Sequence, residues 1–481
     1  MSSHPHRRSI LQGLGATALE MTALGSVGGT AALGALSGVA HAKQAKPNVL
    51  FISIDDLNDW VGVLGGHTQA QTPNIDRLVR RGVHFTNAHC AAPACNPSRT
   101  ATLTGIRPST SGVYTNRQAW RPALPDALTL PQQFKRNGYE TLGAGKIFHF
   151  GEAASWDTYW PEACERSPDL PRAKPGRRGQ QIDSIAWGPS RARRDGVLSD
   201  QHVAKWASKQ LKREHDKPFF LACGFFKPHL PWHVPRRYFK MYPLDKIVLP
   251  VVHDGDLDDI PTAGRRFARV DFHKHIIAQD AWAEAVQGYL AALSFADEML
   301  GCVLDALDAS PHRDNTNIVL WSDHGWSLGE KFHWKKFALW EECTRVPLVF
   351  AGPSVQRGAS DRPVNLVDVY PTLVDLCGLR PVDGLDGRSL TPLLRDPSAA
   401  WEWPSLTTHG RGNHAVRSQH WRYIRYQDGS EELYDHRVDP HEWTNLADDP
   451  GAAVQKAVLA DALPVHDAPR ATSRDGACRK G

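Results

Sequence analysis

Residues Asn48 to Ile54 (NVLFISI) form an apolar run of strand length, rich in β-branched side chains, that ends abruptly in Asp55-Asp56. A strand with one wet face would alternate polar and apolar residues, so this pattern suits a central parallel strand covered on both faces. Similar runs recur at Phe219–Cys223, Ile318–Ser322 and Pro347–Phe350. Helical patterns lie between them. In the stretch that starts Thr72-Pro73-Asn74-Ile75, Thr72 is placed to cap a helix, Pro73 to occupy its first turn and Gly82 to stop it. From Ala281 to Leu307 apolar residues recur three and four apart, as on the buried stripe of a long helix. Strands alternating with helices predict an α/β fold with a mostly parallel sheet.

The pattern changes near Gly378. Beyond a Pro/Gly/Asp-rich connection (Pro381 to Gly387) come short strand-like pieces at Ala415-Val416-Arg417, Tyr423 to Tyr426 and Glu432-Leu433-Tyr434. They predict a small antiparallel sheet beside the main domain. The division expected is a leading segment over residues 1–42, an α/β domain over 43–378 and a C-terminal subdomain over 379–465. The polar end, 466–481, reads as a poorly ordered tail.

With 41% hydrophobic and 22% charged residues among 481, the chain falls in the ordinary globular range. A net charge of +4 is too small to point to nucleic acid. Two basic runs, Arg172 to Arg178 and Arg191 to Arg194, read as solvated loops before they read as an anion patch. Arg7-Arg8-Ser9-Ile10-Leu11-Gln12 has the twin-arginine pattern, and it precedes a Gly/Ala-rich stretch and the small-x-small site Ala40-His41-Ala42. The expectation is export through a twin-arginine translocase to the periplasm or beyond. No later run of about twenty apolar residues predicts a membrane span. Eight cysteines are present, none in a CxxC pair, and their spacing does not suggest a disulfide framework. Most are expected to be buried as small hydrophobes.

Ligands of open α/β sheets sit beyond the C-terminal ends of the strands. Asp55-Asp56 and Asp323-His324 each follow a predicted strand. Together they could close around one divalent cation, although acidic residues after strands are common in ordinary loops. Cys95-Asn96-Pro97-Ser98-Arg99, followed by Leu103-Thr104-Gly105, is a more specific pattern. A cysteine near an arginine could be a reactive low-pKa thiol or simply a packed one.

The longer stretch resembles the signature of the type I sulfatases, Cys-x-Pro-Ser-Arg followed by Leu-Thr-Gly. The resemblance runs from about Pro47 to Asp449 and looks closest to the iduronate-2-sulfatase branch. It is carried by Thr72 to Asp76, Gly145-Lys146-Ile147-Phe148-His149 and Phe226-Lys227-Pro228-His229-Leu230-Pro231. Ser322 to Glu330, Trp334-Lys335-Lys336 and Arg345-Val346-Pro347-Leu348 extend it. It implies an alkaline-phosphatase-like fold and a sulfate-ester hydrolase whose Cys95 is oxidised to formylglycine by a separate maturation enzyme. That enzyme would read Cys95, Pro97 and Arg99.

It further implies metal ligands at Asp55, Asp56, Asp323 and His324, with Cys95 also touching the ion. Calcium is the first expectation, and His324 leaves the metal's identity open. Arg99 is implied to hold the modified residue, and Lys146, His149, His229 and Lys336 to surround the sulfate. One hydroxyl of the hydrated aldehyde would attack sulfur and release the alcohol, and the other would then expel sulfate. His149 would serve as base and His229, helped by Lys336, as acid. A slip of one position would exchange Lys335 for Lys336. In the C-terminal subdomain His409, Arg411, His414 and Arg417 offer partners for a uronate carboxylate, which suggests a sulfated sugar as substrate. Competing readings are a phosphonate or phosphate monoester hydrolase, a choline or aryl sulfatase, and a non-catalytic sugar-binding relative.

Overall fold

A computed structural model describes residues 46–161, 180–190 and 198–473. The twin-arginine segment, both basic runs, Cys164 and Cys478 lie outside the described residues. From Lys46 onward the chain forms one compact unit. Its centre is an eight-stranded sheet in the order Gly358–Ser360, Gly82–Phe85, Leu348–Ala351, Thr316–Ser322, Asn48–Ile54, Phe219–Phe225, Glu140–Gly145 and Thr158–Trp160. Only Leu348–Ala351 runs against the others.

The strand Asn48–Ile54 lies at the middle and is buried throughout. Its alternate residues serve two cores. Leu50, Ile52 and Ile54 face the helices Pro73–Val79, Ser199–Leu211 and Trp282–Asp308, whereas Val49 and Phe51 face Cys95–Thr104, Leu130–Arg136 and Val369–Leu376. Burial on both faces is why the run shows no polar alternation.

Register places the site. Ile54 pairs with Phe225 on one side and Ser322 on the other, and Gly145 pairs with Gly224. Four neighbouring strands therefore end at one level. The residues that follow them are Asp55-Asp56, Lys146 to His149, Phe226 to His229, and Asp323-His324. At one of these ends the backbones come too close for any side chain. Gly145 has φ +80°, and a Cβ there would lie 2.0 Å from the Gly224 carbonyl oxygen. A Cβ on Gly224 would lie 2.2 Å from that of Lys146.

Two local expectations need correction. Thr72 precedes the helix Pro73–Val79 but does not cap it with its side chain. The free N–H groups of Asn74 and Ile75 donate to the Asp297 carboxylate from the long helix, at 3.0 and 2.8 Å. Thr72 Oγ1 is occupied by the Gly62 N–H at 2.9 Å. The expected poorly ordered tail is held in place over its first residues. Ala468 and Ala471 donate to the carbonyls of Ser109 and Gly112, at 2.7 and 2.9 Å, and Gln118 donates to Ala471.

The C-terminal sheet is antiparallel, in the order Ser405–Thr408, His414–Arg417, Trp421–Arg425 and Glu431–Asp435. One face (Ala415, Ile424, Tyr434) packs on Ala338, Leu339 and Trp340, and the other (Leu406, Val416, Tyr423, Leu433) on Leu459. No helix among the described residues is long and apolar enough to cross a membrane. Of the six described cysteines, Cys302 is exposed and the other five are buried.

Candidate active site

Cys95 opens the helix Cys95–Thr104, which starts from an extended Ala94 and ends at Gly105 in the left-handed conformation. Its sulfur thus sits where unpaired N–H groups and the helix dipole favour negative charge. Lys336 Nζ donates to it at 3.0 Å, and His324 Nε2 lies 3.3 Å away. Burial opposes ionisation of the thiol, but Lys146 and Lys336 outweigh it and hold the Cys95 pKa well below its ordinary value.

One turn along the same helix, Arg99 lies entirely buried beneath the nucleophile. Its Nε donates to Asp323 Oδ2 at 2.8 Å and one terminal nitrogen to Asp55 Oδ1 at 3.1 Å. The other donates to the carbonyls of Lys146 and Ile147, at 2.7 and 2.9 Å, and to Ser53 Oγ at 3.4 Å. A planar fork is the group suited to joining three strand ends in this way. Ser98, from the helix's first turn, donates to the Asp323 carbonyl. Ser98 belongs to the Cys-x-Pro-Ser-Arg signature but was given no role in the sequence, and Ser53 was not singled out there, where no pattern distinguishes it from other small polar residues.

Above this floor the carboxylates meet. Asp56 has φ +60°, a left-handed conformation that aspartate tolerates, and its N–H donates to Asp323 Oδ1 at 3.1 Å. Asp56 Oδ1 accepts from Lys336 at 2.6 Å, while Asp56 Oδ2 is buried without a hydrogen-bond partner. Lys146 Nζ pairs with Asp55. Burial raises the pKa of Asp55, but Lys146, His229 and Arg99 override it and leave it well below the usual range. Asp323 is pushed up to about 7 by burial, against the pull of Arg99.

His324 fixes its own tautomer. Its Nδ1 lies 3.0 Å from the Gly325 carbonyl, which can only accept, so Nδ1 carries the hydrogen. Nε2 then points a lone pair at Asp56 Oδ1 and Asp323 Oδ2, 3.4 and 3.6 Å away. Lone pairs facing carboxylates need a positive centre between them, and here protonation serves. Burial works against the imidazolium, but Asp323 raises the His324 pKa to about 9. A divalent cation would replace that proton. Asp55, Cys95, Asp323 and His324 are close enough to share one ion, and so are Asp56, Cys95 and His229. With the unpartnered Asp56 oxygen, this donor set fits a divalent metal. The mixture of carboxylates and imidazole leaves its identity undecided.

The remaining predicted residues frame the opening. His229 Nδ1 lies 2.7 Å from the Leu230 carbonyl, so Nε2 is the nitrogen facing the site, 3.8 Å from Asp56 Oδ2, on a side chain 34% exposed. Burial lowers its pKa. His149 packs edge-on to Phe150 and has an unpartnered Nδ1, and burial lowers its pKa while Cys95 draws it up. The choice between the two lysines is resolved. Lys336 turns in to Asp56 and Cys95, and Lys335 reaches Ser184. Trp326 and Trp334 are core residues.

The C-terminal cations are only partly available. Arg417 is buried against Glu341 at 3.3 Å, and His414 lies 3.1 Å from Asp467. Arg411 donates to the Asp467 carbonyl at 3.3 Å. His409 alone keeps an unpartnered ring nitrogen, between Phe267 and Phe337.

Comparison with known proteins identifies the family. Residues 47–379 match the Sulfatase family, and residues 329–466 match the C-terminal domain described as N-sulphoglucosamine sulphohydrolase, C-terminal. A sulfatase of Formosa agariphila is 39% identical over 84% of this chain and 83% of its own length. A choline-sulfatase of Rhizobium meliloti is 30% identical, covering 86% and 85%. Iduronate 2-sulfatase of Mus musculus is 31% identical, covering 72% and 71%. A solved structure of a putative sulfatase from Bacteroides thetaiotaomicron, 25% identical, superposes with a TM-score of 0.66 over 88% of this chain and 96% of that one. The fold is thus alkaline-phosphatase-like, the metal-type residues and the Cys95 signature converge at its strand ends, and the chain belongs to the sulfatase family as a sulfuric ester hydrolase.

Proposed function

We propose that this sulfatase removes sulfate from a sugar, using a formylglycine made from Cys95 and one divalent cation, calcium first among the expected ions. The observation that carries the reading is the surroundings of Cys95. Its sulfur stands at a helix N-terminus, 3.0 Å from Lys336 and 3.3 Å from His324, within the carboxylate cluster. Once oxidised and hydrated, that residue would supply a hydroxyl nucleophile and a second hydroxyl through which sulfate can leave. The cation would be held by Asp55, Asp56, Asp323 and His324 and would polarise a sulfate oxygen.

The chain's own residues do the rest. Lys146 and Lys336 neutralise the anionic ester, which otherwise repels a nucleophile. Arg99 keeps Asp55 and Asp323 in place and remains charged throughout. His229, hydrogen-bonded through Nδ1, presents Nε2 to the leaving oxygen; as the imidazolium, charged once Nε2 has taken up a proton beside Asp56 and Asp55, it gives that proton to the oxygen as the S–O bond breaks and is left neutral. His149, neutral and with a free ring nitrogen, takes the proton released from the Cys95-derived residue. A sugar alkoxide is a poor leaving group, so His229 matters more for sugars than for phenols.

The sugar reading is supported by a relative named for iduronate and by a C-terminal family described by N-sulphoglucosamine sulphohydrolase, and the relative named for choline marks its rival. The twin-arginine pattern supports export, and an extracellular polymer is a substrate that export would bring within reach. A maturation enzyme acting on Cys95, Pro97 and Arg99 belongs to the same reading. The test has two parts. Peptide mass spectrometry of active protein should find an aldehyde at Cys95, and unmodified thiol in fully active enzyme refutes the nucleophile. Comparative kinetics on 2-O-sulfated uronates, neutral sulfated sugars, choline sulfate and an aryl sulfate should favour a sugar. A far higher kcat/KM for choline or aryl sulfate refutes the substrate class.

A further inference from the structure

Lys335 and Lys336 are consecutive but point to different places. Backbone φ values of +76° at Lys335 and +82° at Phe337 flank Lys336, which is buried in the site, while Lys335 remains partly open. Lys335 reaches Ser184, at the tip of the hairpin formed by Gln180–Ile182 and Ile185–Trp187. That hairpin is tied to the loop carrying His229, since the Trp232 N–H donates to the Ala186 carbonyl at 2.7 Å. Lys335 therefore links the strand that leads into Lys336 to a hairpin tied to the His229 loop.

Arg269 joins it from a third segment. It immediately precedes the helix Val270–Ala278, and its N–H donates to the Phe332 carbonyl at 3.1 Å. Its guanidinium is exposed and lies 5.9 Å from the Phe272 ring. Neither Lys335 nor Arg269 has a carboxylate within ion-pair distance among the described residues. Burial, then Arg269, then Lys336 push the Lys335 pKa down to about 8, and Asp183 and Asp56 only partly oppose them. Arg269 and Lys336 are the cations that raise this cost. Among the described residues the Lys335 ammonium has a hydroxyl as its direct partner, and neighbouring like charges are stabilised when an anion arrives.

We propose that Lys335 and Arg269 form a second anion subsite, which takes a carboxylate or a further sulfate carried by the same substrate. The inference rests on the sugar-sulfatase reading and narrows it to substrates with two anionic groups. It also moves the contact expected from the C-terminal cations, since Arg417 and His414 are engaged inside the protein. Both candidate anions present planar or tetrahedral oxygens that a guanidinium and an ammonium bind by charge-assisted hydrogen bonds.

The experiment compares wild type with Lys335→Gln, Arg269→Gln and Lys335→Arg, each checked for folding by thermal melting. Substrates are a 2-O-sulfated uronate, a disulfated hexosamine, monosulfated neutral hexoses and 4-nitrophenyl sulfate. Each Gln variant should lower the ratio of kcat/KM on doubly anionic over singly anionic sugars by roughly 10- to 100-fold, mainly through KM, and Lys335→Arg should restore it. A loss with the uronate alone identifies a carboxylate as the ligand, and a loss with the hexosamine alone identifies a sulfate. If sugars are hydrolysed but the ratio stays within twofold, the subsite is refuted and the sugar reading stands. If only 4-nitrophenyl sulfate is hydrolysed, the sugar reading falls and the subsite with it. Arg269 is exposed, so Arg269→Gln keeps the test decisive even if Lys335→Gln fails to fold.

Discussion

Two of the buried ionic networks among the described residues differ in how their charges are balanced. One is the active site. The other joins the short helix Glu341–Thr344 to the C-terminal sheet. There Arg422 donates to the Leu339 carbonyl at 2.9 Å, pairs with Glu341 and lies 2.5 Å from Glu442. Arg417 also meets Glu341, His436 lies 3.0 Å from Glu442, and the Glu341 N–H donates to Glu442 at 3.1 Å. Two carboxylates face two guanidiniums. Burial raises the Glu341 pKa, yet Arg417 and Arg422 hold it well below the usual range. Glu341, His436 and Glu442 are close enough for an ion, but the arginines already supply the charge.

The active site, by contrast, leaves Asp56 Oδ2 unpartnered, raises Asp323 to about 7 and aims a histidine lone pair at two carboxylates. A network whose two carboxylates are matched by two guanidiniums acts as a joint to the C-terminal sheet. One with an unpartnered carboxylate oxygen at the strand ends could hold a cation. The joint also bears on catalysis, because the segment it holds supports the metal-type loop. Gly325 and Trp326 donate to the carbonyls of Cys343 and Glu342, at 3.0 and 2.7 Å.

The sharpest way to break the comparison is Arg99→Lys. An ammonium keeps the charge but cannot reproduce a fork that reaches Asp55, Asp323 and two carbonyls at once. Turnover should fall by about 1000-fold or more as the carboxylates lose their positions, a size in keeping with losing preorganised groups at a reacting centre. Steady-state kinetics on a fixed sulfate ester measures this, and retention of a tenth of the activity would contradict the clamp.

The counterpart in the matched network is Arg422→Met. Removing one partner of a buried pair typically costs about 3–5 kcal/mol, and denaturant unfolding should show a loss of that size. Turnover per folded molecule should change far less than in Arg99→Lys. Chelation should separate the networks further. If the proposed ion binds, a divalent chelator should lower the melting temperature of wild type and of Arg422→Met alike, since the ion would stabilise only the active-site network.

The smallest effect expected is on acid stability. His409 is held down to about 4 by burial, below the ordinary histidine value of about 6.5. Between those two values the unfolded chain binds a proton that the folded chain refuses. Stability should therefore fall as pH drops through that window and level off below about 4. His333, also lowered to about 4, adds a slope of the same sign. His409→Gln should flatten, without abolishing, the dependence of unfolding free energy on pH. An unchanged slope would mean that His409 does not stay neutral in the fold.

Much of this protein is local in origin. Burial on both faces imposes an apolar run, so the central strands at Asn48, Phe219 and Thr316 were legible before any fold was known. The 3.6-residue repeat marked the long helix from Trp282, and short alternating pieces marked the C-terminal sheet. The link between Cys95 and Arg99 came from the resemblance to the sulfatase signature, and the helix that sets them one turn apart came from the structure. Which lysine entered the site, which carboxylate received Arg99 and what capped the helix at Pro73 were settled elsewhere in the chain. Lys336 meets Asp56 across 280 residues, Arg99 meets Asp323 across 224, and Asp297 reaches Ile75 across 222. The same holds for Arg417, whose sequence neighbours made it look free for substrate until the fold placed Glu341 against it. Periodicity and motif depend on neighbours within a turn or two. Pairing of charges depends on strand register and on which surfaces become buried together, and only the tertiary structure decides those.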